Sequence, residues 1–171
     1  LPQPKKLEDF SLVDQDGKPL DLEALKGSWT FLAFGYTHCP DVCPTMMATY
    51  DALEQELAES GSETQPEFLF VSVDPERDTP QRVGEYVGYF NPRIRGATAE
   101  HEVLRPLTAQ LGVLYQRAEE QETAMGYMVD HSASMLLLDP QARLSAIFSA
   151  PHETRVMADD FRTISSSHRS Q

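Results

Sequence analysis

The stretch Trp29-Thr30-Phe31-Leu32-Ala33-Phe34-Gly35-Tyr36 runs directly into Thr37-His38-Cys39-Pro40-Asp41-Val42-Cys43-Pro44, and together they decide the fold. The first eight residues are almost all apolar, which predicts a strand buried on both faces of a sheet. Pro44 suits the first position of a helix. The apolar residues that follow recur at helical spacing, as Met47, Tyr50, Leu53 and Leu57. The sequence therefore predicts a core strand, a loop carrying the only two cysteines of the chain, and a helix.

Further elements follow on both sides of this unit and alternate between strand and helix. They are a hairpin over Phe10–Leu20 with its turn at Asp16-Gly17, a buried strand over Phe68–Val73, helices over Thr79–Phe90 and Glu100–Leu111, a strand over Ser134–Leu138 paired with Leu144–Phe148, and a closing helix over His152–Ser165. The order predicts an α/β protein with a central mixed sheet flanked by helices. Residues 115–134 are expected to form an irregular insertion, a loop or hairpin before the late strand.

Length and composition bound the class of protein. A chain of 171 residues with 40 % hydrophobic and 24 % charged residues is typical of one globular domain. We expect that domain over residues 10–165, with a linker over 1–9 and a frayed tail over 166–171. The net charge of −13 argues against a nucleic-acid partner, because phosphate binding needs clustered Lys and Arg. It serves solubility, or it attracts a basic partner or a cation.

The sequence contains no apolar run of the roughly 20 residues that span a bilayer. It begins at Leu1 rather than at a methionine, which allows for a signal peptide or a membrane anchor ahead of it.

The spacing of Cys39 and Cys43 leaves three uses open: a disulfide, a redox couple or a metal clip. A purely structural disulfide is excluded, since closing one short loop adds little to the stability of a chain this long. The helix start favours a thiolate at Cys43. Asp41 between the two cysteines opposes a thiolate but favours a bound cation, so the local charges suit metal binding slightly better than nucleophilic attack.

A third donor is suggested by His131. Thioredoxin-type redox proteins have two residues between their cysteines and a proline on the facing strand. This chain has three residues between the cysteines, and no proline lies between Pro106 and Pro140. The position before the late strand is occupied by Asp130-His131-Ser132 instead. Two thiolates with one imidazole form a suitable three-coordinate site for Cu(I).

The connection Asp74-Pro75-Glu76-Arg77-Asp78-Thr79-Pro80 has two interpretations. Asp78 or Thr79 can cap the following helix, which needs no functional role. Alternatively, Asp74 and Asp78 support a metal site from behind its ligands or face a partner, as Asp41 could.

Three stretches resemble the Sco/SenC family of copper-binding assembly proteins. They are Gly35 to Pro44, Val73 to Pro80, and Val129-Asp130-His131-Ser132-Ala133-Ser134, and they occur in the family's order. The resemblance implies a thioredoxin-like fold with an added hairpin. It also implies that Cys39, Cys43 and His131 bind one copper ion, as Cu(I) or Cu(II).

The resemblance further implies a role in maturing the binuclear copper centre of cytochrome c oxidase subunit II. The protein would deliver copper to that subunit or to other copper proteins and chaperones. Alternatively, or in addition, it would act through Cys39 and Cys43 as a thiol–disulfide reductase on the subunit's cysteine pair. Its expected location is the periplasmic face of a bacterial inner membrane or the mitochondrial intermembrane space, as the domain of an anchored protein. A peroxidase of the same fold rests on fold analogy alone.

Overall fold

The computed structural model describes seven stretches of the chain: residues 3–37, 42–59, 64–113, 115–123, 126–131, 134–148 and 153–169. Within them, it describes the backbone alone for residues 42–44, 115–123, 126–131 and 167–169. None of the helices in these stretches is long and apolar enough to cross a membrane.

Nine strands and four α-helices make up the described fold. The strands are β1 (Ser11–Asp14), β2 (Pro19–Asp21), β3 (Thr30–Gly35), β4 (Glu67–Ser72), β5 (Ile94–Thr98), β6 (Tyr115–Thr123), β7 (Gly126–His131), β8 (Met135–Leu138) and β9 (Leu144–Phe148). The helices are α1 (Val42–Glu59), α2 (Pro80–Phe90), α3 (His101–Leu111) and α4 (Thr154–Arg169).

Seven strands form one mixed sheet in the order β2-β1-β5-β4-β3-β8-β9. The three central strands β3, β4 and β5 are parallel, and the flanking strands pair antiparallel to their neighbours. Every residue of β3 is buried, as the continuous apolar run predicts for the middle of a covered sheet. Phe31 of β3 packs against Tyr50 of α1 and Phe161 of α4, with ring centroids 6.5 and 5.8 Å apart. The α/β prediction with a mixed central sheet is confirmed.

Local sequence signals place several elements correctly. The N-terminal hairpin turns at Gly17, whose φ of +79° is a conformation that favours glycine. Helix α2 begins at Pro80, and the Thr79 hydroxyl accepts a hydrogen bond from the Arg82 amide at 3.2 Å. The capping prediction therefore holds for Thr79 and not for Asp78.

Strand β5 was not expected from the sequence. Its five residues include Arg95 and Gly96, so they lack the apolar run that marks β3 and β4. Gly96 is needed because a Cβ there would lie 2.8 Å from the Val83 side chain of α2. A close approach of this kind depends on tertiary packing, which the local pattern does not reveal.

The insertion before the late strand, expected as a loop or hairpin, is a two-stranded antiparallel sheet of β6 and β7, so its hairpin form is confirmed. Residues 166–169 continue α4 where a frayed tail was expected, and Ser165 before them is buried. Within the expected linker, Lys5 exchanges two backbone hydrogen bonds with Leu144, each 2.8 Å long.

Candidate metal centre

The carboxyl ends of the three parallel strands meet at one edge of the sheet. Gly35 of β3 lies beside Ser72 of β4, and Ser72 lies beside Thr98 of β5. The Val73 amide donates to the Gly35 carbonyl at 2.8 Å, and the Thr98 hydroxyl donates to the Ser72 carbonyl at 3.1 Å. The loop with the cysteines and the Asp74–Asp78 connection therefore leave the sheet side by side. In open α/β sheets, ligands bind beyond this carboxyl edge of the strands.

Strand β8 brings a third segment to the same edge. It is antiparallel to β3, with Leu136 beside Leu32 and Leu138 beside Thr30. Its first residue, Met135, therefore lies toward the end of β3 from which the cysteine loop leaves. His131 ends β7 four positions earlier. Because the end of β3 and the start of β8 lie at the same edge of the sheet, the segments that carry the candidate donors can contribute to a single site.

The structure does not describe the side chains of the predicted ligands Cys39, Cys43 and His131. Cys39 and Asp41 are outside the described residues. Cys43 is the second residue of α1, and His131 pairs with Tyr115 across the β6–β7 ladder. For both, only the backbone is described. Among the side chains that are described, no three His, Cys, Asp or Glu residues gather into a group that could hold a metal ion.

Asp78, in the connection that follows β4, is fully buried. Its Oδ2 accepts hydrogen bonds from the Thr37 amide at 2.9 Å and from the Ser72 hydroxyl at 2.6 Å. Its Oδ1 accepts from the Thr37 hydroxyl at 2.5 Å. Arg82 contributes its Nε at 3.7 Å from Oδ1 and donates to the Thr37 hydroxyl at 3.1 Å. The carboxylate therefore faces inward and holds the chain just ahead of Cys39.

Asp74 is also buried, but it acts through Arg77. Its Oδ2 accepts from the Arg77 Nε at 2.5 Å, and the guanidinium carbon lies 5.7 Å from the centre of the Tyr36 ring. A cation over an aromatic face is attracted by the ring quadrupole. The Asp74 backbone amide also donates to the Ser72 hydroxyl at 3.2 Å. Asp74 thus fixes Arg77 against Tyr36, the residue before Thr37.

Glu76 is the outward-facing acid of this connection. Its carboxylate lies 2.8 Å from the Nε2 of His101, at the start of α3. Burial raises the pKa of Glu76, but a backbone hydrogen bond and the His101 contact outweigh it, so this pKa lies below its ordinary value. His101 therefore links α3 to the connection beside the site.

Sequence reasoning identified Asp74 and Asp78 but missed their partners. Thr37, Ser72, Arg82 and Tyr36 were not singled out as parts of the site. One signal was available: Ser72 is a hydroxyl residue inside an otherwise apolar strand, and such a group needs a partner when buried. Met46 and Met47 are buried in the core, as expected of methionines at helical spacing.

The fold and the edge just described define a thioredoxin-like α/β protein with one cysteine in the connection from β3 to α1 and a second in the first turn of α1. The SCO1/SenC family model matches residues 2–166, and the chain belongs to that family. The family expected from the three sequence stretches is thus confirmed.

Three relatives give the extent of the similarity. The chain is 38 % identical over 151 residues to the mitochondrial protein SCO1 homolog 1 of Arabidopsis thaliana; the match covers 88 % of this chain and 44 % of that protein. The structure of Arabidopsis thaliana ScoI with copper bound matches with a TM-score of 0.87 at 35 % identity, covering 94 % of this chain and 98 % of that one. Bradyrhizobium japonicum ScoI with copper bound matches with a TM-score of 0.77 at 30 % identity, covering 92 % and 98 %. Copper, the metal predicted from the sequence, is thus bound in both solved relatives.

Proposed function

We propose that this protein is a copper chaperone, which binds one copper ion as Cu(I) or Cu(II) through the thiolates of Cys39 and Cys43 and the imidazole of His131. The observation that carries the proposal is the copper bound in two relatives that match more than nine-tenths of this chain. The sheet topology supports it, because β3 and β8 bring the two donor-bearing segments to one edge.

The chemistry of the donors fits this cargo. Thiolate is a soft ligand that selects Cu(I), and imidazole completes a three-coordinate site. Asp41 lies between the two cysteines in sequence and adds a negative charge that favours a cation. Among the supporting acids, Asp74 and Asp78 are buried, which favours support of the site over contact with a partner.

The biological role follows from the family. We propose that the bound copper is delivered to the binuclear centre of cytochrome c oxidase subunit II, or to other copper proteins and chaperones. The domain would work on the periplasmic face of a bacterial inner membrane, or in the mitochondrial intermembrane space, as part of an anchored protein. The mitochondrial name of the Arabidopsis relative supports the second setting.

The test is a titration of reduced protein with Cu(I) against a competing chelator. Wild type should bind one Cu(I), while Cys39→Ser, Cys43→Ser and His131→Ala should each weaken binding by at least tenfold. His101→Ala is the matched control, because this histidine is paired with Glu76 and should leave the affinity unchanged. An unchanged affinity and Cu(II) spectrum in His131→Ala would exclude His131 as a ligand.

A second candidate function is thiol–disulfide reduction, favoured by the place of Cys43 in the first turn of α1. A helix N-terminus stabilises a thiolate, the attacking species. In this reaction the two thiols become one disulfide, while one disulfide of the partner becomes two thiols. The reduction potential of the Cys39–Cys43 pair, measured in thiol buffers, tests it. A value too positive to reduce a protein disulfide would exclude the activity and leave copper binding unaffected.

A further inference from the structure

The Asp78 carboxylate accepts its hydrogen bonds from outside its own turn, while its ion pair with Arg82 is local. Thr37, which donates twice, lies 41 positions earlier, and Ser72 lies six positions earlier at the end of β4. The local tasks are performed by neighbours instead. The Asp74 carbonyl accepts the Arg77 and Asp78 amides, and Thr79 caps α2. The turn and the α2 cap therefore form through these groups rather than through hydrogen bonds to the Asp78 side chain.

Both donors of Thr37 meet the same carboxylate. Its amide donates to Oδ2 and its hydroxyl to Oδ1, so its backbone and its side chain are held together. Arg82 donates to the hydroxyl from the other side, at 3.1 Å. Charge-assisted hydrogen bonds of this kind are stronger than neutral ones. Only His38 separates this fixed residue from Cys39 in the sequence.

The far end of the cysteine loop is fixed by secondary structure. Val42 begins α1, and Cys43 follows it within the first turn. Residues 38–41 therefore connect Thr37, which Asp78 holds, to the first turn of α1. Fixing the entry to a loop reduces the conformational freedom that its ligands lose when they converge on a metal or on each other.

We infer that Asp78 is the positioning residue of the cysteine loop: it fixes Thr37, two positions before Cys39, and thereby favours copper binding and disulfide formation by the two cysteines. This inference rests on the proposed function for its copper part. Asp78 would therefore act on the ligands through Thr37, and it does not face a partner, since its side chain is fully buried.

The experiment compares Asp78→Asn with Asp139→Asn. Asp139 is the matched control, because it is another fully buried aspartate with an arginine partner, and it lies at the opposite end of the sheet. Asparagine offers one acceptor oxygen, so it cannot satisfy the three donors that face Asp78. Thr37→Val, which loses the hydroxyl and keeps the amide, tests the same link without altering Asp78, and Thr37→Ser restores the hydroxyl.

Two readouts are taken on each variant. The first is Cu(I) affinity by chelator competition. The second needs no metal: it is the equilibrium in which the two cysteine thiols pass two electrons and two protons to oxidised dithiothreitol and form a disulfide. Asp78→Asn and Thr37→Val should weaken Cu(I) binding about tenfold and disfavour the disulfide. Thr37→Ser should match wild type.

Asp139→Asn should lower thermal stability and leave both readouts within about twofold of wild type, inside the usual context-dependent scatter. Wild-type readouts in Asp78→Asn and Thr37→Val, or equal losses in Asp139→Asn, would overturn the inference. If Asp78→Asn fails to fold, the comparison of Thr37→Val with Thr37→Ser decides the question. Failure of wild type to bind Cu(I) would sink the proposed function, while the disulfide equilibrium would still test Asp78.

Discussion

Asp78 and Asp139 are both fully buried and each pairs with an arginine four positions later, yet their carboxylates hydrogen-bond to different parts of the chain. Asp139 follows β8, where Oδ1 accepts from the Gln141 and Arg143 amides at 3.0 Å each and Oδ2 accepts from the Arg143 Nε at 2.9 Å. Every one of these partners lies within four positions. Asp78 instead reaches back to Thr37 across the sheet edge.

The difference distinguishes a carboxylate that stabilises its own turn from one that holds a residue of another segment. The hydrogen bonds of the Asp139 carboxylate stay within the turn after β8, at the end of the sheet remote from the cysteine loop. The connection after β4 holds two residues of another segment: Asp78 binds Thr37, and Asp74 places Arg77 on Tyr36. A change at the first place should affect stability alone, and a change at the second should also affect the cysteines.

The largest effect is expected from removing the arginine that pairs with buried Asp74 in the connection after β4, or the one that pairs with buried Asp139 after β8. Arg77→Met and Arg143→Met each leave a buried carboxylate without its ion pair, so each should reduce the free energy of unfolding by about 1–3 kcal/mol. Urea titration measures this loss. Only Arg77→Met should also change the rate at which iodoacetamide modifies the cysteines, because only Arg77 contacts Tyr36. Equal modification rates in the two variants would show that the connection after β4 affects the cysteines no more than the turn after β8 does.

A smaller effect is expected from the cap of α2. Thr79→Ala removes the acceptor for the Arg82 amide and should cost about 1 kcal/mol. Since Arg82 also donates to Thr37, a loosened first turn should increase hydrogen exchange at the Thr37 amide. Thr163→Ala in α4 is the control, because its exposed hydroxyl only returns to the Asp159 carbonyl. Unchanged exchange at Thr37 would mean that the Thr79 cap of α2 does not affect the contact between Asp78 and Thr37.

The smallest effect is expected from the Glu76–His101 pair. The pKa of Glu76 is lowered in the folded protein, so its contribution is present above the ordinary glutamate pKa and is lost as pH falls through the lowered value. The pair is half-exposed, which weakens it through solvent screening. A double-mutant cycle with Glu76→Gln and His101→Gln, followed by thermal unfolding, should show a coupling at about pH 6 that weakens once the pH falls below the ordinary pKa of glutamate. A coupling that grows as the pH falls would contradict the assignment.

Much of the fold was predictable because its signals are local. The apolar run of β3, the turn at Gly17 and the Thr79-Pro80 helix start each involve a few neighbouring residues. Strand β5 was missed because Gly96 and Arg95 interrupt its apolar pattern, and the need for Gly96 arises from α2 packing above it. The assignment of Cys39, Cys43 and His131 as ligands stays a prediction from sequence and family.

The sequence by itself determined the strand–loop–helix unit, the spacing of the two soft sulfur donors within it, and the family to which the chain belongs. Periodicity, capping and donor chemistry act over a few residues, so they can be read along the chain. Only the tertiary structure decided which acid supports that loop. The pairing of β3 with β4 sets Gly35 beside Ser72, and this register brings Asp78 within hydrogen-bonding distance of Thr37 across 41 positions. Nothing in the local pattern distinguishes Asp78 from a helix cap, because its partners are adjacent in space and distant in sequence.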